Sequence, residues 1–127
     1  MVKEKKITVF GDNYNTPDGT CIRDYIHVVD LAKSHVKAMD FLINNPGKHA
    51  FNVGTGVGIS VLEAIKAFEN ANKIKVNYTI GSRRSGDIEK IYADGNLVKD
   101  KLGWIANESL EKALISAWRW ERKKQIL

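Results

Sequence analysis

One cysteine and two prolines among 127 residues leave little covalent or conformational bracing. Cys21 has no partner for an internal disulfide, and His27, His35 and His49 lie in unrelated segments without zinc-ligand spacing. Neither disulfide nor metal is expected to hold the fold. No apolar run approaches the roughly 20 residues of a membrane span, and the opening Met1-Val2-Lys3-Glu4-Lys5-Lys6 lacks the apolar stretch of a secretory leader. A soluble, cytoplasmic protein is the expectation. Acidic residues are also scarce: 15 Asp and Glu face 20 Lys and Arg. Residues 1–63 carry seven of each sign, whereas residues 64–127 carry thirteen basic and eight acidic, which favours anionic partners without selecting one. Nucleic-acid binding would interleave aromatics with a basic face, but Trp104, Trp118 and Trp120 fall at or near helices of the last third, as packing residues.

What is present, 43% hydrophobic and 28% charged residues, is the composition of one globular domain. Ile7-Thr8-Val9-Phe10 reads as a strand that runs into a long polar loop around Pro17-Asp18-Gly19. Tyr25 to Val29 is again strand-like. Asp30 then caps a helix whose apolar positions are Leu31, His35, Val36, Met39, Leu42 and Ile43, stopped by Pro46-Gly47. Ala50 to Val53 reads as a strand, Gly54-Thr55-Gly56-Val57-Gly58 as a glycine loop, and Ser60-Val61-Leu62-Glu63 as a capping box opening a helix with Val61, Ile65 and Phe68 inward. Ile74, Val76, Tyr78 and Ile80 alternate over a further strand, and Arg83-Arg84-Ser85-Gly86-Asp87 follows as a charged loop. Asp94 and Ser109 cap two last helices, the first ending at Gly103, the second burying Leu110, Leu114, Ala117 and Trp118. The expectation is α/β with roughly four strands and four helices, and parallel pairing through crossovers, yet with few helices to cover both faces of a parallel sheet.

The glycine loop invites a dinucleotide reading, but G-x-G-x-x-G would need glycine at Ile59, and no carboxylate stands among Ile74 to Tyr78 to take a ribose hydroxyl. A structural turn capped by Ser60 is the better reading, with its amides and Val61 still able to line a pocket wall. Arg83 and Arg84 beside a glycine suit bidentate contact with phosphate oxygens, and Asp87 could accept from sugar hydroxyls. A solvated charge run paired with nearby carboxylates is the alternative, and Arg23-Asp24 has the same ambiguity. His27 reads as a hydrogen-bonded packing residue rather than a general base, and nothing beside Cys21 would lower its thiol pKa.

Several runs taken together resemble a known family. Phe10-Gly11-Asp12, Pro17-Asp18-Gly19-Thr20, Arg23-Asp24-Tyr25-Ile26-His27-Val28-Val29-Asp30, Asn52-Val53-Gly54-Thr55-Gly56, Arg83-Arg84-Ser85-Gly86-Asp87, Tyr92-Ala93-Asp94 and Leu102-Gly103-Trp104 occur in the order seen in the C-terminal part of UDP-glucose 4-epimerases, extended short-chain dehydrogenases/reductases. The resemblance covers about Ile7 to Trp120. It implies that residues 1–127 form one UDP-sugar-binding C-terminal region. The N-terminal Rossmann half, with its NAD loop and catalytic Y-x-x-x-K pair, is expected to be absent: the residues four after Tyr14, Tyr25, Tyr78 and Tyr92 are Asp18, Val29, Ser82 and Asn96.

By the same resemblance, Arg23 and Arg84 clamp the diphosphate, Asp87 accepts from the ribose, Val61 is an apolar wall, Phe10 with its neighbouring backbone contacts uracil, and Ile91 gates the size of the sugar. NAD is implied for the intact enzyme and not for this chain, which is expected to be inactive alone. The alternatives are a stand-alone uridine-nucleotide binding module and a piece of a related nucleotide-sugar dehydratase or epimerase. The implied partners are a UDP-sugar and the missing Rossmann domain, with self-association of the piece, a homodimer in the intact enzyme, and no nucleic acid or membrane.

Overall fold

The computed structural model describes residues 6–124. Four strands and four helices alternate along the chain: β1 (Ile7–Phe10), β2 (Ile22–Asp24), α1 (Val28–Asn44), β3 (Gly58–Ser60), α2 (Val61–Asn72), β4 (Tyr78–Gly81), α3 (Asn96–Leu102) and α4 (Leu110–Lys124). The expected α/β class and element count are found.

Pairing is mixed. β1 and β4 are parallel, with Ile7 opposite Tyr78 and Phe10 opposite Gly81, whereas β2 and β3 are antiparallel, with Arg23 opposite Ile59. The parallel pair is joined by a long crossover, as parallel geometry requires. The two sheets are tied by the segment after the arginine loop. Ile22 N–H donates to Glu89 O at 2.9 Å and Ile91 N–H to Ile22 O at 3.1 Å, a parallel bridge between Ile22 and Lys90.

Helix ends follow their sequence signals in part. Ser60 Oγ accepts from Glu63 N–H at 3.0 Å while Glu63 Oε2 accepts from Ser60 N–H at 2.8 Å, the expected capping box. Gly103 ends α3 at φ 60°, and Ser109 Oγ accepts from Lys112 N–H at the start of α4.

Other expectations shift. The second strand lies three residues before the predicted Tyr25–Val29, because the chain has already turned into α1 at Val28. His27 is the cap, its Nδ1 accepting from Val29 N–H at 3.0 Å. Val28 and Val29 tolerate the helix because no preceding turn crowds their branched side chains there. Asp30 sits inside the first turn, and its Oδ2 accepts from Asn107 N–H at 2.8 Å and Glu108 N–H at 2.7 Å, fastening α1 to the approach to α4. Residues 50–53 form no strand. Phe51 and Val53 pack on the core without a ladder partner. Residues 74–77 are not strand either, since Val76 N–H is taken by Glu69 Oε1 at 2.9 Å rather than by a neighbouring strand.

The core is small. Val98, Leu102 and Trp104 form its buried cluster, with Ile26, Ala38, Phe41, Phe51, Val53 and Ala106 packed around them. Phe68 of α2 meets Trp118 of α4 edge-on at 5.6 Å. Much of the α1 stripe faces outward instead: Met39 is 67% and Ile43 78% exposed. The periodicity marks a face, but α3 covers only part of that helix. Ala117, expected inside, is also exposed.

Candidate functional site

A cleft of about 340 Å³ opens where the two small sheets meet. β1 delivers Phe10 from its last position, and β4, paired beside it, releases the loop carrying Arg84 and Asp87. β2 delivers Arg23; its partner β3 ends at the cap of α2, placing Val61 opposite, with Val61 N–H donating to Cys21 O at 3.1 Å. Phe10, Arg23, Val61, Arg84 and Asp87 therefore line one cavity, although the two arginines lie 61 positions apart in the chain.

Asp87 stands between the guanidiniums. Arg84 Nε and Nη2 donate to its two carboxylate oxygens at 3.1 and 3.2 Å, and Arg23 Nη2 approaches Oδ1 at 3.9 Å. The Arg84 guanidinium lies over the Phe10 ring, 4.5 Å from its centroid. Arg23 is steadied by Nη1 donating to Ile22 O at 2.8 Å. The Asp87 side chain is only 17% exposed, against 59% for Arg84. Two planar forks with apolar backing suit clustered anionic oxygens beside a flat ring.

The neighbouring arginine has a different task. Arg83 lies over Tyr14 at 3.9 Å, donates through Nε to Asn13 Oδ1 at 2.6 Å and through Nη2 to Asn13 O. The expected pair of arginines in this loop is thus split, one anchoring the loop and one facing the cleft. Ile91 lies in an adjoining cleft of about 500 Å³ with Asn52, Val53 and Tyr92, and Arg23 borders both. Sequence reasoning missed Thr8, Val9, Cys21 and Tyr25 as lining residues. Alternation along β1 and β2 pointed to faces of strands, not to this cavity. Tyr25 sits next but one to Arg23, so strand periodicity would have found it. Its phenol is pushed above the ordinary value by burial.

The glycine loop is occupied by the protein's own carboxylate. Asp24 Oδ1 accepts from Thr55 N–H at 3.0 Å and Thr55 Oγ1 at 2.6 Å, and Oδ2 from Gly56 N–H at 3.0 Å and Ala93 N–H at 3.2 Å. Burial pushes Asp24 up, but these donors outweigh it and hold its pKa below the usual carboxylate range. A Cβ at Gly54 would collide with the Asp24 carboxylate and Ala93. Asp18 behaves alike. Burial raises it, yet the Ser60 hydroxyl and the Thr20 N–H and hydroxyl, the latter two at 2.9 and 2.7 Å, lower it overall. His27 makes two hydrogen-bonding contacts, the second from Nε2 to Ser116 Oγ at 3.2 Å. Cys21 is buried and forms no disulfide.

Comparison with known proteins decides the family. The profile described as GDP-mannose 4,6 dehydratase matches residues 1–116. The chain belongs to this family. Among its relatives, UDP-glucose 4-epimerase of Haemophilus influenzae is 49% identical over 94% of this chain and 36% of its own length. That of Drosophila melanogaster is 50% identical over 94% and 35%. The UDP-glucose 4-epimerase of Stenotrophomonas maltophila, solved with NAD and formylated UDP-arabinopyranose, superposes with a TM-score of 0.90 at 44% identity, covering 94% of this chain and 36% of that one. The Bifidobacterium longum epimerase with NAD+ and UDP gives 0.83 at 46% identity, covering 94% and 35%.

The expected likeness to epimerases is met, and this GDP-mannose 4,6 dehydratase family member spans 35–36% of the length of the relatives named. Its glycine loop and α2 N-terminus offer no free cradle for a phosphate of the dinucleotide those structures hold. The glycine-loop amides are taken by Asp24, and Ser60 caps the α2 N-terminus that a pyrophosphate would need. No helix among the described residues is long and apolar enough to cross a membrane.

Proposed function

We propose that this chain forms the UDP-sugar-binding face of a UDP-glucose 4-epimerase, which interconverts UDP-glucose and UDP-galactose, and that the hydride chemistry with NAD belongs to the part of such enzymes this chain does not match. The convergence of Arg23 and Arg84 on one carboxylate in a cleft walled by Phe10 and Val61 carries the reading. A diphosphate would take the two guanidiniums, the Asp87 carboxylate would accept from ribose hydroxyls, the Phe10 side would hold the base, and the sugar would extend toward Ile91. With no Y-x-x-x-K pair in its sequence and its glycine loop filled by Asp24, the chain alone binds without epimerising.

Calorimetry with UDP tests this. The full chain is expected to bind, and Arg84→Ala to weaken binding by about tenfold or more, as loss of a charge-assisted bidentate contact implies. An alanine variant that bound UDP as tightly as wild type would remove the clamp and the reading with it. Because the matched profile is named for a GDP-sugar dehydratase, a related nucleotide-sugar enzyme is the second reading. Tighter binding of GDP than UDP would favour it.

A further inference from the structure

We propose that Asp87 makes the arginine clamp conditional, so that it admits a diphosphate attached to a hydroxylated nucleoside and resists bare pyrophosphate; this deepens the nucleotide reading above and rests on it. The Arg84 fork is closed on Asp87 through both carboxylate oxygens, and Arg23 approaches the nearer one. An incoming anion therefore competes with an internal one for the same donors. Each guanidinium has a second hold within the cleft. Arg84 is backed by the Phe10 ring, and Arg23 is held to the Ile22 carbonyl.

Asp87 has room to adjust on its own side. It follows Gly86, which sits at φ +83° with open space where a Cβ would project. Once displaced, Asp87 does not reach open water freely, since its side chain is mostly enclosed. A carboxylate that loses charged donors inside a cleft is costly unless other donors replace them. A vicinal diol supplies two hydroxyl donors, whereas inorganic pyrophosphate supplies none to spare. Recognition of the phosphates is thereby coupled to recognition of the sugar next to them, and the discrimination comes from an internal competitor as well as from direct contacts.

Three probes on the full chain separate the possibilities: UDP, 2′,3′-dideoxyuridine 5′-diphosphate and inorganic pyrophosphate, each titrated into wild type and Asp87→Asn. Wild type is expected to prefer UDP over the dideoxy compound by about tenfold. In Asp87→Asn that preference should fall to within about twofold, and pyrophosphate should bind about fivefold more tightly. Asp87→Ser serves the same purpose if the asparagine variant does not fold. Wild type that binds UDP but ignores the missing hydroxyls, or a variant whose pyrophosphate affinity is unchanged or lower, overturns the conditional clamp and leaves the nucleotide reading standing. Failure of wild type to bind UDP at all brings down both.

Discussion

Asp18, Asp24 and Asp30 are carboxylates spent on architecture. Burial disfavours the charged form of each, and in each the donors win: for Asp30, the Glu108 and Asn107 N–H groups, helped by Lys33 at 3.8 Å. A folded pKa below the unfolded value stabilises the fold above the unfolded pKa, near 3.9 for Asp, and that stability is lost as pH falls through the folded value. Urea midpoints should therefore be flat above about pH 5 and decline steeply below about pH 4. Asp30→Asn should lower the plateau and flatten part of the decline. A decline as steep as in wild type would show that Asp30 contributes none of it. At this scale the family resemblance grouped Arg23, Arg84, Asp87, Phe10 and Val61, which the residues alone had left ambiguous, and in the structure the five line one cleft. The sequence could not say that Asp24 would fill the glycine loop, because that bond joins residues 31 and 32 positions apart. Nor could adjacency reveal that Arg83 turns to Tyr14 while Arg84 turns to Phe10.

Among the elements, those written in local chemistry were legible and those that depend on a distant partner were not. The α2 capping box and the Gly103 stop follow from side chains three residues away or a single positive φ. Ser60→Ala should cost about 1 kcal/mol or more in chemical denaturation, the ordinary value of an N-cap, with an added penalty because Ser60 also donates to Asp18. A variant as stable as wild type would mean that water replaces the cap fully. Strand prediction failed where no ladder is completed. Residues 50–53 carry a strand pattern but meet no ladder, and 74–77 lose their donor to Glu69. At Tyr25–Val29, branched residues imitate a strand while the His27 cap starts a helix.

For the whole molecule, the imbalance is between a small buried core and a wide apolar exterior. A groove of about 770 Å³ runs between the start of α1 and α4, lined by Ile26, Val28, Leu114 and Trp120, the last 63% exposed. With the outward residues of α1, it amounts to a face on which a further body would pack, as the proposed reading requires of a chain matching 35–36% of its relatives. Sedimentation velocity should show self-association at micromolar concentration, and dyes that sense apolar surface should bind. A sharp monomer without dye binding would count against this face being sticky.

The five residues from Asp87 to Ile91 join the charged cleft to its neighbour while running beside β2. For Ile88, Glu89 and Lys90 between them, count matters more than identity. Successive residues in extended chain point to opposite sides, so one inserted residue between Asp87 and Glu89 would either shift the bridge to Ile22 or move Asp87 from its place beside Arg84. Natural variation at Ile88, Glu89 and Lys90 should accordingly change letters more freely than spacing.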